Sequence, residues 1–336
     1  MAGLRYWVAA HPDLHKPIGG IKQLHRLAEA LQVCGRDVAL IQDNAAFHPG
    51  WFNSCVQAVS FDDFRRMPLH PSRDVVVLPE TFVPAMPRYA PGISKLIFNQ
   101  NGSYSFGFQP GDGFPKAPSE LLQAYRHPDL RHVLCVSESD YHLLQGGFAL
   151  GPAFVTRLTN PIEPLFQPAS PKHRSVAWMP RKKSGRDGAI VAALLAAQSW
   201  FSPWRIQAIQ GLPQPGVARV LQQSLVFFAF GFPEGFGLPL AEALACGCYL
   251  IGYSGLGGRE LFALAASHGA GEEVAFGDWY GFVQALHRFH QRLDRDPQGV
   301  AASLKAASKA VRQRYSLAAL QDELRAALPR WEARLA

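Results

Sequence analysis

The chain has no run of about 18 apolar residues, the length a membrane-crossing helix needs, so no transmembrane span is expected. It has no block of five or more consecutive Lys or Arg and no DNA- or RNA-binding signature, so nucleic acid is not expected as a partner. A net charge of +7 therefore points to a smaller anion such as a nucleotide, or to an acidic membrane face. Cysteines are few: Cys34, Cys55, Cys135, Cys246 and Cys248 are an odd-numbered set of five, expected to be reduced thiols in a cytoplasmic protein. The pair Cys246-Gly-Cys248 is spaced too tightly for a zinc knuckle or a redox motif. No G-x-G-x-x-G follows the first apolar run, only "PIGG" (17–20), which disfavours a nicotinamide-dependent dehydrogenase. Short repeats and low-complexity tracts are absent as well.

What is present is a globular pattern. Of the 336 residues, 48% are hydrophobic and 18% are charged, enough apolar surface for two domains. The start, "MAGLRYWVAA", reads as a strand and not as a signal peptide. The amphipathic stretch "IKQLHRLAEALQVCG" follows and closes at Gly35. Continuous apolar runs at 37–41, 74–80, 95–101 and 132–137 predict strands of a parallel sheet covered on both faces. The proline-rich segment 159–174 reads as a linker, and beyond it a second strand–helix series begins at 175–180. The expected fold is α/β, two Rossmann-like doubly wound domains facing across a cleft: 1–165, then 166–315. A C-terminal helix over 316–336, broken near Pro329, is a candidate to cross back onto the first domain.

The stretch "PEGFGLPLAEALACG" (233–247) places Glu234 and Glu242 around glycines and the start of a short helix. Pro239 suits a first helical turn, and Gly247 suits its end. Free amides at Gly237, Leu238 and Leu240 would then face an anion, with the helix dipole behind them. Ionised carboxylates accept hydrogen bonds from sugar diols and repel phosphate. A nucleotide-sugar suits both properties, its diphosphate on the amides and its sugar rings on the acids. The run "WMPRKKSGR" (178–186) supplies Arg181, Lys182 and Lys183 at a strand's carboxyl end, where ligands of open α/β sheets bind.

These residues resemble the signature of retaining glycosyltransferases of the GT-B fold, in their large family four. "EGFGLPLAEALACG" carries the two glutamates, "PIGGIKQLHRLAEAL" is similar to the N-terminal Gly-Gly turn and helix, and "LTNPIEPLF" is similar to the interdomain segment. The resemblance implies a metal-independent hexosyltransferase with no cofactor, moving a sugar from a nucleoside diphosphate to an acceptor hydroxyl with retention. Glu234 would hold donor-sugar hydroxyls and Glu242 the ribose hydroxyls. Phe236, Gly237 and Leu238 would offer backbone amides to the diphosphate, paired by Arg181 and by Lys182 or Lys183. Gly19 and Gly20 would close over the donor phosphate or the acceptor. Where many members carry a histidine, this chain has Asn99, Gln100 and Asn101.

Asn99, Asn101 and Glu80 follow strands and are candidate acceptor or sugar contacts, set against a capping role for Glu80 and Asn101. His11 and His15 flank the Gly-Gly turn, and Gly257-Gly258-Arg259-Glu260 reads as a helix start ahead of a sugar-side turn. Trp51 and Phe52, read as exposed, are compatible with a lipid-linked acceptor and with peripheral association at the inner membrane face, as is a glycan acceptor with neither. The rival readings are an epimerase or phosphorylase on the same architecture, and a catalytically silent nucleotide-sugar-binding module.

Overall fold

The computed structural model describes residues 3–106, 118–169, 171–180 and 184–335. The chain divides into two compact units, Met1–Pro161 with Leu317–Ala336, and Ile162–Ser316.

The first unit runs β1 (Arg5–Ala9), α1 (Gly19–Val33), β2 (Asp37–Gln42), β3 (Ala58–Ser60), α2 (Phe61–Arg66) and β4 (Asp74–Pro79). It continues through a 3-10 turn (Glu80–Arg88), β5 (Ser94–Asn99), a second such turn (Gly102–Phe106) and α3 (Pro118–Tyr125). β6 (Leu130–Cys135), α4 (Glu138–His142) and β7 (Val155–Arg157) complete this stretch. All seven strands are parallel, in the order β3-β2-β1-β4-β5-β6-β7. Their apolar runs are continuous because both faces are covered: Val75, Val76, Val77 and Leu78 are all buried. β3 and β7 have three residues each, too few to show a periodicity.

The second unit runs β8 (His173–Trp178), α5 (Ser184–Ala196), β9 (Arg205–Ala208), α6 (Gln214–Gln223), β10 (Ser224–Phe230) and α7 (Leu238–Ala245). β11 (Tyr249–Tyr253), α8 (Arg259–Ser267), β12 (Gly271–Glu273), α9 (Trp279–Arg295) and α10 (Pro297–Arg314) follow. Its five parallel strands lie in the order β12-β11-β10-β8-β9. The order reverses between β8 and β10 here, and between β1 and β4 in the first unit. Such switch points, at the strands' carboxyl ends, are where open α/β sheets bind ligands.

The last helix, α11 (Leu317–Glu332), belongs to the first unit. Trp331 is fully buried and donates from Nε1 to the Tyr6 hydroxyl at 3.1 Å. That hydroxyl donates to Glu332 at 2.8 Å, and the guanidinium of Arg36 grips the same carboxylate at 2.6 and 2.8 Å. The break expected near Pro329 does not occur, because α11 runs through it. Pro329 removes one hydrogen bond to Arg325, but both residues are exposed, so water can satisfy the freed carbonyl.

A second correction concerns the aromatics read as exposed. Phe52 is buried, its ring 4.9 Å from that of His25, and Trp51 is half-buried with its ring 4.7 Å from Phe52. Both cover α1. No helix among the described residues is long and apolar enough to cross a membrane.

Candidate active site

β10 ends at Phe230, and the chain then makes the turn 231–237 before entering α7. The sheet does not stop there. Glu234 and Leu256 form an isolated parallel bridge that extends the β10–β11 pairing into the two following turns. The Glu234 amide donates to Gly255 at 2.8 Å, and the Glu234 carbonyl accepts from Gly257 at 3.0 Å. The contact is backbone on backbone: a Cβ on Gly257 would lie 2.2 Å from the Gly235 oxygen. Glycine is therefore required at 257 by the turn before α7, not by the helix that follows it.

Gly237 is the N-cap of α7, with φ +88°, a left-handed conformation open to glycine. In that conformation its carbonyl turns back into the helix and accepts from Leu240 at 2.9 Å and from Ala241 at 3.3 Å. The expectation of a free amide at Leu240 is corrected accordingly, since that donor is used internally. The amides of Phe236, Gly237 and Leu238 have no backbone partner among the described residues. Gly237 has no side chain with which to cap this helix end. Amides left open at the positive end of a helix, beside a sheet switch point, are suited to an anion.

Glu234 is half-buried in the turn, and Glu242 is buried on α7, 8% exposed. Phe236, Gly237 and Leu238 lie between them, so these five candidates share one continuous turn and helix at the end of β10. Phe236 is held from below by Tyr315, ring to ring at 4.9 Å. Tyr315 also donates from its hydroxyl to Glu260 of α8 at 3.0 Å, with Arg314 3.5 Å from the same oxygen. Tyr315 thus ties both turns to the end of α10, a role its place in the sequence gave no sign of. Gly257 and Gly258 belong to the turn that enters α8 at Arg259, with Gly258 as its N-cap. A cavity of about 720 Å3 opens beside the paired turns, lined by Phe232, Pro233, Leu256, Arg259, Glu273 and Phe276 among others. Arg181, Lys182 and Lys183 lie outside the described residues. The residues before them, Met179 and Pro180, leave β8 where it pairs with β10.

In the first unit Gly19 and Gly20 open α1. The carbonyl of Gly20 accepts from Nε2 of Gln100 at 3.1 Å, and the Gln100 amide donates to Glu80 at 3.0 Å. Glu80, buried where β4 ends, thus braces the loop after β5. Burial pushes its carboxyl up to about 8, against the amide hydrogen bonds that favour the charge. Asn101 takes the capping role: its side-chain oxygen accepts from the amide of Ser103 at 3.1 Å and from its hydroxyl at 2.7 Å. Asn99, last residue of β5, is fully buried, and neither atom of its amide has a partner among the described residues.

Asp140 was missed. It accepts from the Gly102 amide at 3.0 Å, and burial pushes it up to about 7 against that hydrogen bond. The signal was present in "SESD", where Ser137 caps α4 by accepting from the Asp140 amide at 3.1 Å. His11, at the end of β1, rests against Phe61 and Phe82, its Nε2 3.1 Å from the Tyr89 hydroxyl. Burial lowers its basicity, and the nearby carboxylates Asp43 and Asp13 oppose that shift. Among the described residues no three His, Cys, Asp or Glu side chains cluster as metal ligands would.

This architecture, two parallel-sheet units with short turns at the carboxyl ends, is the fold of the GT-B glycosyltransferases. The chain superposes on sucrose-phosphate synthase from Thermosynechococcus elongatus with a TM-score of 0.71, at 14% identity, over 98% of this chain and 100% of that one. It superposes on HepE from Anabaena, solved with UDP, with a TM-score of 0.66 at 12% identity, over 97% of this chain and 99% of that one. No protein-family model matches the sequence. An alpha-1,6-glucosyltransferase of Actinobacillus pleuropneumoniae serotype 7 (strain AP76) is 26% identical over 196 residues, which are 55% of this chain and 54% of that protein. The chain thus matches about half the length of this curated relative.

Proposed function

We propose that the protein is a retaining glycosyltransferase that moves a sugar from a nucleoside diphosphate to an acceptor hydroxyl without a metal or cofactor. One observation carries the reading: the start of α7, shaped by Gly237 and flanked by Glu234 and Glu242, sits at the switch point of the second sheet. The amides of Phe236, Gly237 and Leu238 take the diphosphate, and Glu242 takes the ribose hydroxyls. Glu234 takes donor-sugar hydroxyls. Arg181, with Lys182 or Lys183, neutralises charge on the departing diphosphate, the kind of electrostatic term that usually dominates such catalysis. The leaving phosphate oxygen accepts the acceptor's proton, so no separate general base is required. Gly19 and Gly20 serve the donor phosphate or the acceptor, and Glu80 and Asn101 hold the loop after β5 in place.

HepE was also solved with UDP-glucose, and the bacterial relative is named a glucosyltransferase, so UDP-glucose is the donor to test first. The deciding experiment is a thermal-shift screen of nucleotides and nucleotide-sugars in EDTA, followed by nucleotide release with an acceptor panel and NMR assignment of the product anomer. The expected result is a saturable shift with UDP or another nucleoside diphosphate, and chelator-resistant transfer giving the donor's own anomer. Binding without transfer would leave the silent module, and no binding by any nucleotide would end the reading.

A further inference from the structure

The first unit contains a cavity of about 440 Å3 between α2 and the segment following the Glu80–Arg88 turn. Its walls are largely apolar, with Phe61, Phe64, Met67, Leu69, Tyr89 and Pro91 among them. Two arginines, Arg65 and Arg88, complete the lining. Both are exposed, and neither has a carboxylate partner among the described residues. Arg65 lies over the Phe61 ring, its guanidinium 5.8 Å from the ring centre. Two guanidiniums at the mouth of an apolar cavity are an unusual surface. Arginine in that position holds phosphate or carboxylate through paired donors, while the wall beneath is largely apolar.

The wall is also built under constraint. Ala90, which lines the cavity, has φ +47°, uncommon for a residue with a side chain. Fully buried Lys95 holds this turn by donating from Nζ to the carbonyls of Ala90 and Ile93, each at 2.8 Å. Lys95 is itself paired with Asp129 at 3.0 Å, and Asp129 accepts from the Gly92 amide at 2.9 Å. Backbone strain that the surroundings over-determine gathers where a protein holds a ligand in a fixed place. Tyr89 carries the wall inward to His11, at the carboxyl end of β1.

We propose that this cavity binds an anionic amphiphile: an apolar chain seated among Phe61, Phe64, Met67 and Leu69, with its phosphate or carboxylate held by Arg65 and Arg88. A free sugar lacks the apolar body, and a cation would be repelled. On the function proposed above, the occupant is the tail of the acceptor. That last step rests on glycosyl transfer, whereas the binding does not.

The test uses the full chain and four probes: geranyl phosphate, geraniol, decanoate and inorganic phosphate. Geranyl phosphate should raise the melting temperature and titrate at least tenfold more tightly than geraniol, with no saturable effect of inorganic phosphate. Decanoate equalling geranyl phosphate would show that any anionic head serves, which is within the proposal. Arg65→Gln with Arg88→Gln should weaken geranyl phosphate about tenfold and leave geraniol unchanged. Ala85→Trp, which fills the cavity, should remove both. Equal binding of geraniol and geranyl phosphate, binding of inorganic phosphate alone, or full affinity in the arginine double variant would overturn the proposal. UDP binding by the same samples reports on the donor site separately, so either reading can fail without the other.

Discussion

Glu234 contributes its backbone to the fold and its side chain to the proposed chemistry. Its amide and carbonyl make the bridge to the neighbouring turn, and both survive replacement of the carboxylate. Glu234→Ala should therefore keep the melting temperature within a few degrees while lowering kcat/KM about 100-fold, the loss typical of one catalytic electrostatic contact. Unchanged turnover would remove Glu234 from the site. Glu242 is the one acid on a helix buried from Pro239 to Ala245. Glu242→Gln keeps the shape and removes the charge. It should raise the donor KM about tenfold, as expected for a lost hydrogen bond to a charged acceptor. The glycine at 257 makes the opposite case. Gly257→Ala would press a methyl group into the Gly235 carbonyl, which should cost about 3 kcal/mol and show as a lowered melting temperature in calorimetry. The string "EGFGLPLAEALACG" announces the acids and the helix start because capping and anion binding are local. The pairing of that turn with residues 255–257 is invisible in the sequence, since backbone contact across two turns leaves no periodic trace.

At the scale of elements, the loop after β5 is held by two buried carboxyl groups. Glu80 takes the Gln100 amide and Asp140 the Gly102 amide. Burial raises Glu80 to about 8 and Asp140 to about 7, so the folded state keeps protons that the unfolded chain releases near pH 4. Between those limits the folded state binds more protons, and stability falls as pH rises. The contribution is whole below about pH 4 and is lost as pH passes 7 to 8. Glu80→Gln, which mimics the protonated form, removes the part due to Glu80. The variant should gain on the parent as pH is raised from 5 to 8 and gain no more above about pH 9. Melting temperatures across that range decide the point, and parallel curves would contradict it. Sequence reading reaches such elements unevenly. The apolar runs of β1, β2, β4, β5 and β6 are legible because both faces of a parallel sheet are buried. Three-residue β3, β7 and β12 are not, and Pro329 reads as a break only because burial of Trp331, which anchors the helix end, is a tertiary fact.

Across the whole molecule, the alternation of apolar runs and amphipathic stretches is enough to read two parallel-sheet units, because each turn of the pattern repeats one physical unit, strand then covering helix. Sequence order does not say which helix covers which sheet. α11 follows the second unit in the chain, yet it closes the first through Trp331, Tyr6 and the Arg36–Glu332 pair. Glu323 of the same helix accepts from the Thr159 hydroxyl at 2.9 Å, near the end of the first unit's long segment. Each unit has its own core, so damage to α11 should fall on the first unit alone. Trp331→Ala removes a fully buried indole and should cost the first unit about 3–5 kcal/mol. Calorimetry should then split into a transition moved well below the parent's and one left in place. UDP, whose proposed site lies in the second unit, should raise only the unmoved transition, by about 2.7 kcal/mol at 100 times its dissociation constant. A single transition shifted as a whole would show that the second unit depends on α11 for its stability. UDP raising the weakened transition instead would place the nucleotide on the first unit.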